Sequence, residues 1–351
     1  MNSGNSAGGL RDLPSVVLGF EGLRGVLALS VCLGHYGINA LLRPLGLYLN
    51  FDLAVDVFFA LSGFVLSHTG YFGQRSRSDF VVRRFARLYP LHLLALLLVL
   101  GVYAAHKWPI RPLFVVQNLL LLQNVGLPPQ QMSFNFPGWS ISVEFWISIL
   151  FVGLLRGKPR RLLVALPVLI TVIILVFPGF QLLKSENVAG MLNGAVNGGL
   201  LRGIAGFCVG ITAYLFCRHV AIDYAPSRWA SYVFCLLLLM IFLKDWHSPA
   251  DSWLLYACIF GLLITIACSR EFSLLTTRTP VFLGSISYSV YLLHIPLILI
   301  LEALFSPDAF RGIHKLAALL ILFPLAALVH RYIERPAQRL ILQRLRGALS
   351  G

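Results

Sequence analysis

Long apolar stretches separated by short polar segments run through almost the whole chain. A helix needs about 20 mostly apolar residues to cross the hydrocarbon core of a bilayer. About ten stretches approach this length, near residues 22–41, 52–69, 88–105, 139–156, 161–178, 199–217, 230–244, 252–268, 281–304 and 314–333. The apolar run at 113–123 is shorter and lies between prolines, which favours a re-entrant or interfacial segment. The pattern therefore predicts an all-α fold, a polytopic transmembrane helix bundle of about ten spans.

The composition excludes a soluble globular enzyme. Hydrophobic residues make up 58% of the 351 residues and charged residues only 12%, whereas about a quarter of an average soluble domain is charged. The mean hydropathy is +0.81. The six cysteines are scattered and form no CxxC pair, so we expect neither a disulfide framework nor a metal site.

The net charge is +14, from 28 Lys and Arg residues against 14 Asp and Glu residues. In a soluble protein this excess would indicate nucleic-acid binding. Here the cations lie in short loops between apolar stretches, and we count Arg202 as one of these loop cations. Most fall in the even-numbered loops and at the two ends, which predicts that both termini are cytoplasmic. We expect a multi-pass protein of the cytoplasmic (inner) membrane with no nucleic-acid partner.

The chain is predicted to be one membrane domain with two short flanks. Residues 1–15 are polar and rich in Gly and Ser, which predicts a disordered N-terminus rather than a cleavable signal. Residues 16–340 form the membrane domain, and residues 341–351 form a basic cytoplasmic tail. No linker rich in Pro, Gly or Ser leads to a soluble domain.

Ionisable residues inside the predicted spans mark candidate functional positions, because a charge in lipid is costly. Arg24 and His35 lie eleven residues apart in the first span, which places them on one helix face and about 16 Å apart along its axis. The predicted orientation brings four residues together in the outer half of the membrane: His35, Asp56, Glu144 and His294. It leaves a cluster of arginines at the inner face: Arg24, Arg83, Arg84 and Arg87.

The two groups match two chemistries. An arginine cluster suits a phosphorylated ligand, and a histidine beside a carboxylate suits general-base activation of a hydroxyl. Structural alternatives remain open, since the arginines could be inside-positive anchors and Asp56 or Glu144 could hold helices together. Ser287, Tyr291 and His294 share one helix face, which either lines a pore or forms a polar packing seam.

Six segments, in order along the chain, resemble motifs of acyltransferase family 3, integral membrane proteins that O-acylate cell-surface sugars. They are Arg24 with His35 (Arg-x10-His), Val-Asp-Val-Phe-Phe-Ala-Leu-Ser-Gly-Phe at 55–64, Arg-Phe-Ala-Arg-Leu-Tyr-Pro at 84–90, Trp-Ser-Ile-Ser-Val-Glu-Phe at 139–145, Leu-Gly-Ser-Ile-Ser-Tyr-Ser-Val-Tyr-Leu-Leu-His at 283–294 and Ile-Glu-Arg-Pro at 333–336. The fourth and fifth are the most specific. Glu21 stands where family members usually carry Asp, and Ala54 stands where Gly is common.

The resemblance implies transfer of an acyl group, typically acetyl, from cytoplasmic acetyl-CoA to a sugar hydroxyl of a surface polysaccharide or lipid-linked glycan. It implies three sets of site residues: a catalytic set, His35 as general base with Asp56 or Glu144 orienting it; a cofactor-binding set, Arg24, Arg84 and Arg87; and a substrate or oxyanion set, Ser287, Tyr291 and His294. The expected partners are membrane lipid, the glycan acceptor and polysaccharide-assembly proteins.

Two mechanisms and a second class of function stay open on the sequence. The acceptor hydroxyl could attack the thioester directly, or His35 could carry the acyl group in a relay. A transporter or flippase for a glycan or an acylated small molecule also has many spans and intramembrane charges. Such proteins usually show two related halves, and no internal repeat is visible here.

Overall fold

Helices form nearly all of the structure, a computed structural model that describes residues 14–69, 76–127, 134–158, 160–176, 191–192, 196–219, 227–244, 251–268, 273–305 and 313–350. In chain order the helices are α1 (Pro14–His35), α2 (Ile38–Leu42), α3 (Ala54–His68), α4 (Arg77–Ala105), α5 (Pro112–Leu119), α6 (Gly138–Leu155), α7 (Arg160–Val176), α8 (Gly198–His219), α9 (Ser227–Leu243), α10 (Asp251–Ala267), α11 (Ser273–Thr276), α12 (Arg278–Phe305), α13 (Ile313–Ala317), α14 (Leu319–Val329) and α15 (Arg335–Ser350). Short 3-10 turns occupy Arg43–Leu45 and Phe51–Leu53, and a π-helical turn occupies His330–Glu334. Two short antiparallel strands, β1 (Met191–Leu192) and β2 (Val196–Asn197), precede α8.

The predicted all-α membrane bundle is confirmed, but the count of ten spans is not. Among the described residues, six helices are long and apolar enough to cross a membrane, and a seventh is added if α1 and α2, bent by 75°, form one broken span. Three shorter apolar helices, within α7, α9 and α10, coincide with further predicted spans. The molecule is therefore a multi-pass membrane protein.

Helices α1 and α12 run parallel and pack closely along their whole contact. A Cβ atom at Gly284 would overlap the carbonyl oxygen of Glu21, so only glycine permits this approach. Further along both helices, the hydroxyl of Tyr36 donates to the carbonyl of His294 at 3.2 Å. This packing brings the face of α1 that carries Arg24 and His35 against the predicted polar face of α12.

Helices α3, α6 and α8 form a second packed group. Phe59, Val143 and Phe207, one from each helix, are buried between them. The hydroxyl of Ser62 on α3 also donates to the Glu144 carboxylate on α6 at 2.5 Å. Interhelical hydrogen bonds and close packing are the interactions that hold helices together in lipid.

The short apolar segment before α6 is the eight-residue helix α5, about 12 Å long and too short to span a bilayer. The chain then turns back, and Leu121 adopts a positive φ of 55°. The carbonyl of Leu121 accepts hydrogen bonds from Ser142 (2.6 Å) and from the indole of Trp146 (3.0 Å). These bonds seat the segment against α6, as expected of a re-entrant or interfacial element.

The C-terminal helix extends beyond the predicted membrane domain. Helix α15 continues through Ser350 and packs against α4, so most of the segment predicted as a basic tail is helical. The predicted disordered N-terminus lies mainly outside the described residues, because the description begins at Pro14.

Candidate active site

A cavity of about 380 Å³ opens among α1, α3, α4, α6, α12 and α15. Its charged lining residues are Glu21, Arg24, Arg83, Arg84, Arg87 and Glu144. We call this part of the molecule the arginine end. The remaining walls are mostly apolar and include Phe58, Phe59 and Leu61. The cavity therefore combines a cationic mouth with an apolar interior.

Three of the four arginines at the arginine end are paired with carboxylates. Arg24 bonds Glu21 at 3.1 Å, Arg83 bonds Asp79 at 2.7 Å and Arg84 bonds Glu144 at 2.5 Å. Arg87 has no ion pair with any described residue. Its positive charge is therefore the one at this cavity that a ligand can neutralise without first displacing a carboxylate.

The position of Glu144 corrects the sequence analysis. We expected Glu144 in the outer half beside His35, but its carboxylate accepts from Arg84 and from Ser62, both at 2.5 Å. Helix α4 begins at Arg77, well before the predicted span, so Arg84 is carried inside the bundle. A buried guanidinium needs a nearby anion, and Glu144 supplies it. Glu144 does not bond His35.

Tyr291 on α12 also lines the cavity. The Tyr291 hydroxyl shares a 2.8 Å hydrogen bond with Ser140, and both residues line the cavity. The Tyr291 ring lies 5.9 Å from the ring of His294, one turn further along α12. Ser287 also lines the cavity, but its hydroxyl donates to the Gly284 carbonyl at 2.7 Å. The hydrogen of Ser287 is thus already used within its own helix.

His35 and His294 face each other beyond Tyr291, and we call this pair the histidine end. Their ring centroids are 5.0 Å apart. Phe51 and Phe136 also pack against the His35 ring, at 4.8 and 5.7 Å. A Cβ atom at Gly34 would overlap the Phe51 ring, so this glycine lets Phe51 reach His35. Neither histidine is among the residues described as lining the cavity.

The hydrogen bonding of His35 fixes its tautomer. Its Nδ1 atom lies 3.1 Å from the Val31 carbonyl oxygen, one helical turn earlier. Because a carbonyl only accepts, Nδ1 must carry the hydrogen, and a neutral His35 then has its lone pair on Nε2. The backbone of α1 therefore performs the orienting role that the sequence analysis assigned to Asp56 or Glu144.

His294 is fully buried, and neither of its ring nitrogens makes a hydrogen bond of good geometry with a described residue, although the ring lies near the backbone of Val290 and Tyr291 in its own helix. The side-chain amide of Asn135 donates to the carbonyl of Leu292, two residues before His294, at 2.9 Å. The side-chain oxygen of Asn135, Oδ1, is buried without a described partner. Buried polar atoms without partners are uncommon in folded proteins. The histidine end thus retains donor and acceptor capacity for a ligand.

Asp56 belongs to a separate buried network. It accepts from Arg202 Nη2 at 2.5 Å, from Arg202 Nε at 3.1 Å and from the Tyr256 hydroxyl at 3.0 Å. Side-chain exposure is 0% for Asp56 and 1% for Arg202. The expected contact between Asp56 and His35 is therefore wrong. Arg202 also donates to the Asp52 carbonyl at 3.2 Å, beside Phe51, so the network supports the ring that packs on His35.

Two features of the site were missed or left open by the sequence. Arg202 was counted as a loop cation, although it stands inside α8 and holds Asp56. Tyr256 carried no signal, because a single tyrosine in an apolar stretch is ordinary.

No group of three or more His, Cys, Asp or Glu residues in the described part of the chain is placed to hold a metal ion.

Curated relatives resemble parts of the chain. It is 37% identical to acyltransferase MdmB of Streptomyces mycarofaciens over 119 residues, which are 31% of this chain and 30% of that protein. It is 46% identical to protein 2 in the picA locus of Rhizobium radiobacter over 83 residues, 22% of this chain and 41% of the relative. The chain thus matches less than half the length of these two proteins. A third relative, ORF330 of Acidianus two-tailed virus, carries the name acetyltransferase. It is 25% identical to this chain over 292 residues, which are 78% of this chain and 81% of that protein.

No solved structure matches this chain. A family model described as an acyltransferase domain matches residues 17–330. The matched region contains every site residue predicted from the sequence, whereas α15 lies beyond it. The chain therefore belongs to the acyltransferase-domain family, the acyltransferase family 3 that its motifs resemble.

Proposed function

We propose that this protein is a membrane-bound O-acyltransferase that moves an acyl group, acetyl in the first instance, from acyl-CoA to a sugar hydroxyl. The acceptor is a surface polysaccharide or a lipid-linked glycan. One observation carries the proposal: the contact between α1 and α12 aligns an arginine cluster with a histidine pair across the bundle. On α1 alone, Arg24 and His35 are about 16 Å apart.

The arginine end fits the phosphates of the donor. Arg87 has no ion pair among the described residues, and Arg24 and Arg84 line the same cavity. Guanidinium groups bind phosphate through paired, charge-assisted hydrogen bonds. The apolar walls that lead to Tyr291 suit the uncharged thioester arm. In this arrangement the phosphates stay at the arginine end while the thioester points toward the histidines.

His35 is the general base in this proposal. Its Nε2 lone pair takes the proton of the acceptor hydroxyl while the hydroxyl oxygen bonds to the thioester carbon. The carbon–sulfur bond then breaks, and the proton passes from His35 to the departing sulfur. A thiol with a pKa of about 8.5 is a good leaving group, so no stronger acid is needed. Ternary-complex kinetics support this direct attack, and ping-pong kinetics support the acyl-histidine relay instead.

Negative charge develops on the thioester oxygen during the attack, and a hydrogen-bond donor aimed at it lowers the barrier. We assign this role first to His294, whose ring lies 5.0 Å from that of His35. Tyr291 is the second candidate, one turn earlier on α12, but its hydroxyl already bonds Ser140 at 2.8 Å and donates to the Pro137 carbonyl at 3.4 Å. Ser287 is a weaker candidate, because its hydroxyl hydrogen is bonded to Gly284. Glu144 and Asp56 act indirectly, by holding Arg84 and Arg202.

The test is mass spectrometry of the surface glycan from a deletion strain, from that strain with the wild-type gene, and from that strain with His35→Ala. We expect an acyl mass increment with the wild type and none with the variant. Acetyl-CoA-dependent release of free CoA by wild-type membranes separates transfer from transport. Membranes that release no CoA, together with an unchanged glycan in all strains, would contradict the proposal and favour a transporter.

A further inference from the structure

Helix α15 lies beyond the region matched by the family model, yet it forms part of the arginine end. Gln338 and Leu342, one turn apart on α15, line the cavity described above. Arg335 and Gln338 line a second cavity of about 330 Å³. A turn of π-helix at His330–Glu334 joins α14 to α15, and such turns are frequent at functional sites.

The two cavities adjoin. Five lining residues belong to both: Glu21, Arg24, Arg87, Tyr288 and Gln338. The first cavity has the apolar interior that leads to Tyr291. The second is lined largely by polar and charged side chains, including Ser285 and Arg335. A ligand with one apolar arm and one polar, charged end would fit the pair better than it would fit either cavity alone.

The charge of the second cavity is positive. Its two carboxylates are engaged, Glu21 with Arg24 at 3.1 Å and Glu334 with the Ser289 hydroxyl at 2.6 Å and His330 at 3.0 Å. Arg87 and Arg335 have no ion pair with any described residue. Two guanidinium groups without carboxylate partners therefore border the second cavity, one from α4 and one from α15.

We propose that the second cavity binds the phosphorylated nucleotide end of the acyl-CoA donor, with Arg335 contacting phosphate and Gln338 lying where the donor passes into the first cavity. This inference rests on the proposed function. The apolar interior of the first cavity is suited to the thioester arm and not to phosphates. Arg24 and Arg87 line both cavities, so phosphates can lie between the two, and the nucleoside with its own phosphate then occupies the adjoining polar space that Arg335 and Gln338 border.

The test compares two acyl donors that differ only in the nucleotide end, acetyl-CoA and acetyl-pantetheine, with the purified full-length protein in nanodiscs. In Arg335→Gln, loss of a charge-assisted phosphate contact raises the KM for acetyl-CoA about tenfold or more. The KM for acetyl-pantetheine stays at the wild-type value. Adenosine 3′,5′-bisphosphate competes with acetyl-CoA in the wild type, and about tenfold more of it is needed in the variant.

Arg344→Gln is the matched control. Arg344 is exposed on the same helix nine residues later, which places it on the opposite face of α15 from Arg335. It lines neither cavity. We expect Arg344→Gln to leave the KM values for both donors unchanged.

Three outcomes overturn the inference. An equal rise in KM for both donors would mean that Arg335 only positions α15. Unchanged KM values in Arg335→Gln would mean that it contacts no donor phosphate. An effect confined to nanodiscs with anionic lipid, and absent in neutral lipid, would assign Arg335 to lipid headgroups. If the wild type instead binds adenosine 3′,5′-bisphosphate by calorimetry without transferring acetyl, the nucleotide site stands and the proposed function fails.

Discussion

The rings of His35 and His294 lie 5.0 Å apart, each supplied by one of two parallel helices that meet through a glycine contact. His35 uses Nδ1 to bond the Val31 carbonyl, which leaves Nε2 as its acceptor. His294 makes no hydrogen bond of good geometry with a described residue at either nitrogen. The site therefore consists of one histidine oriented by its own helix and one buried histidine with polar capacity to spare, and no carboxylate of the described residues bonds either ring.

We predict that His35→Ala lowers acyl transfer at least about 100-fold with normal expression, because general-base catalysis contributes about 10²–10⁴-fold. The control is His106→Ala. His106 also bonds the carbonyl one turn earlier, Val102 at 3.0 Å, but it is exposed at the end of α4. Its loss should leave the rate unchanged. Thiol release from acetyl-CoA measures both, and a His35→Ala variant with half the wild-type rate would exclude the base assignment.

His294→Leu should lower kcat about 100-fold or more if its ring donates to the developing oxyanion, a typical effect of removing one such donor. The KM for acetyl-CoA should stay within about twofold of the wild type. His294→Gln restores an N–H donor and should recover part of the kcat. Steady-state kinetics with purified protein check this, and a wild-type kcat in His294→Leu would place His294 away from the reacting atoms.

The sequence was sufficient to predict those features that depend on one helix. The spacing of Arg24 and His35 fixes their common face, and the polar positions of α12 follow the same rule. Contacts between helices were harder to predict. Glu144 was expected beside His35 because the predicted orientation placed it in the outer half of the membrane. The predicted span at 88–105 began after Arg84, so Arg84 was assigned to the inner face and was not recognised as the partner of Glu144 inside the bundle.

The Asp56 network illustrates the same limit. A charge near the end of an apolar stretch can be counted either as a loop residue or as a buried one, and Arg202 was counted in the loop. The choice depends on whether another helix offers a carboxylate at the same depth. Only the packing of α3 against α8 shows that Asp56 supplies such a carboxylate to Arg202.

We predict that Asp56→Asn destabilises the protein by about 3–5 kcal/mol, because it leaves the buried Arg202 charge without its anion. The double variant Asp56→Asn with Arg202→Met should lose less than the two single variants together. Glu302→Gln, which breaks the half-buried pair with Lys315 (26% and 25% exposed), should cost no more than about 1 kcal/mol. Unfolding in detergent measures all four, and additive losses would mean that the pair is not coupled.

Arg87 and Arg84 should respond differently to substitution. Arg87→Gln removes a cation that has no described ion pair, so we expect the KM for acetyl-CoA to rise about tenfold or more with an unchanged Tm. Arg84→Gln also strands the Glu144 carboxylate and should lower the Tm. Adding Glu144→Gln to Arg84→Gln should restore much of the Tm but not the KM. An unchanged KM in Arg87→Gln would favour an anchor role for that arginine.

Gly284→Ala tests whether the α1–α12 contact builds the site. The added Cβ would overlap the Glu21 carbonyl, so the helices must separate, and overpacking of this kind costs about 1–3 kcal/mol. Separation also shifts Arg24 and His35 relative to His294, so kcat should fall along with the Tm. Gly101→Ala is the control, because no atom lies within 4 Å of a Cβ at that position on α4, and alanine there should stabilise the helix by up to about 1 kcal/mol. If Gly284→Ala kept both the wild-type Tm and kcat, the close contact between α1 and α12 at Gly284 would not be what positions Arg24 and His35 relative to His294.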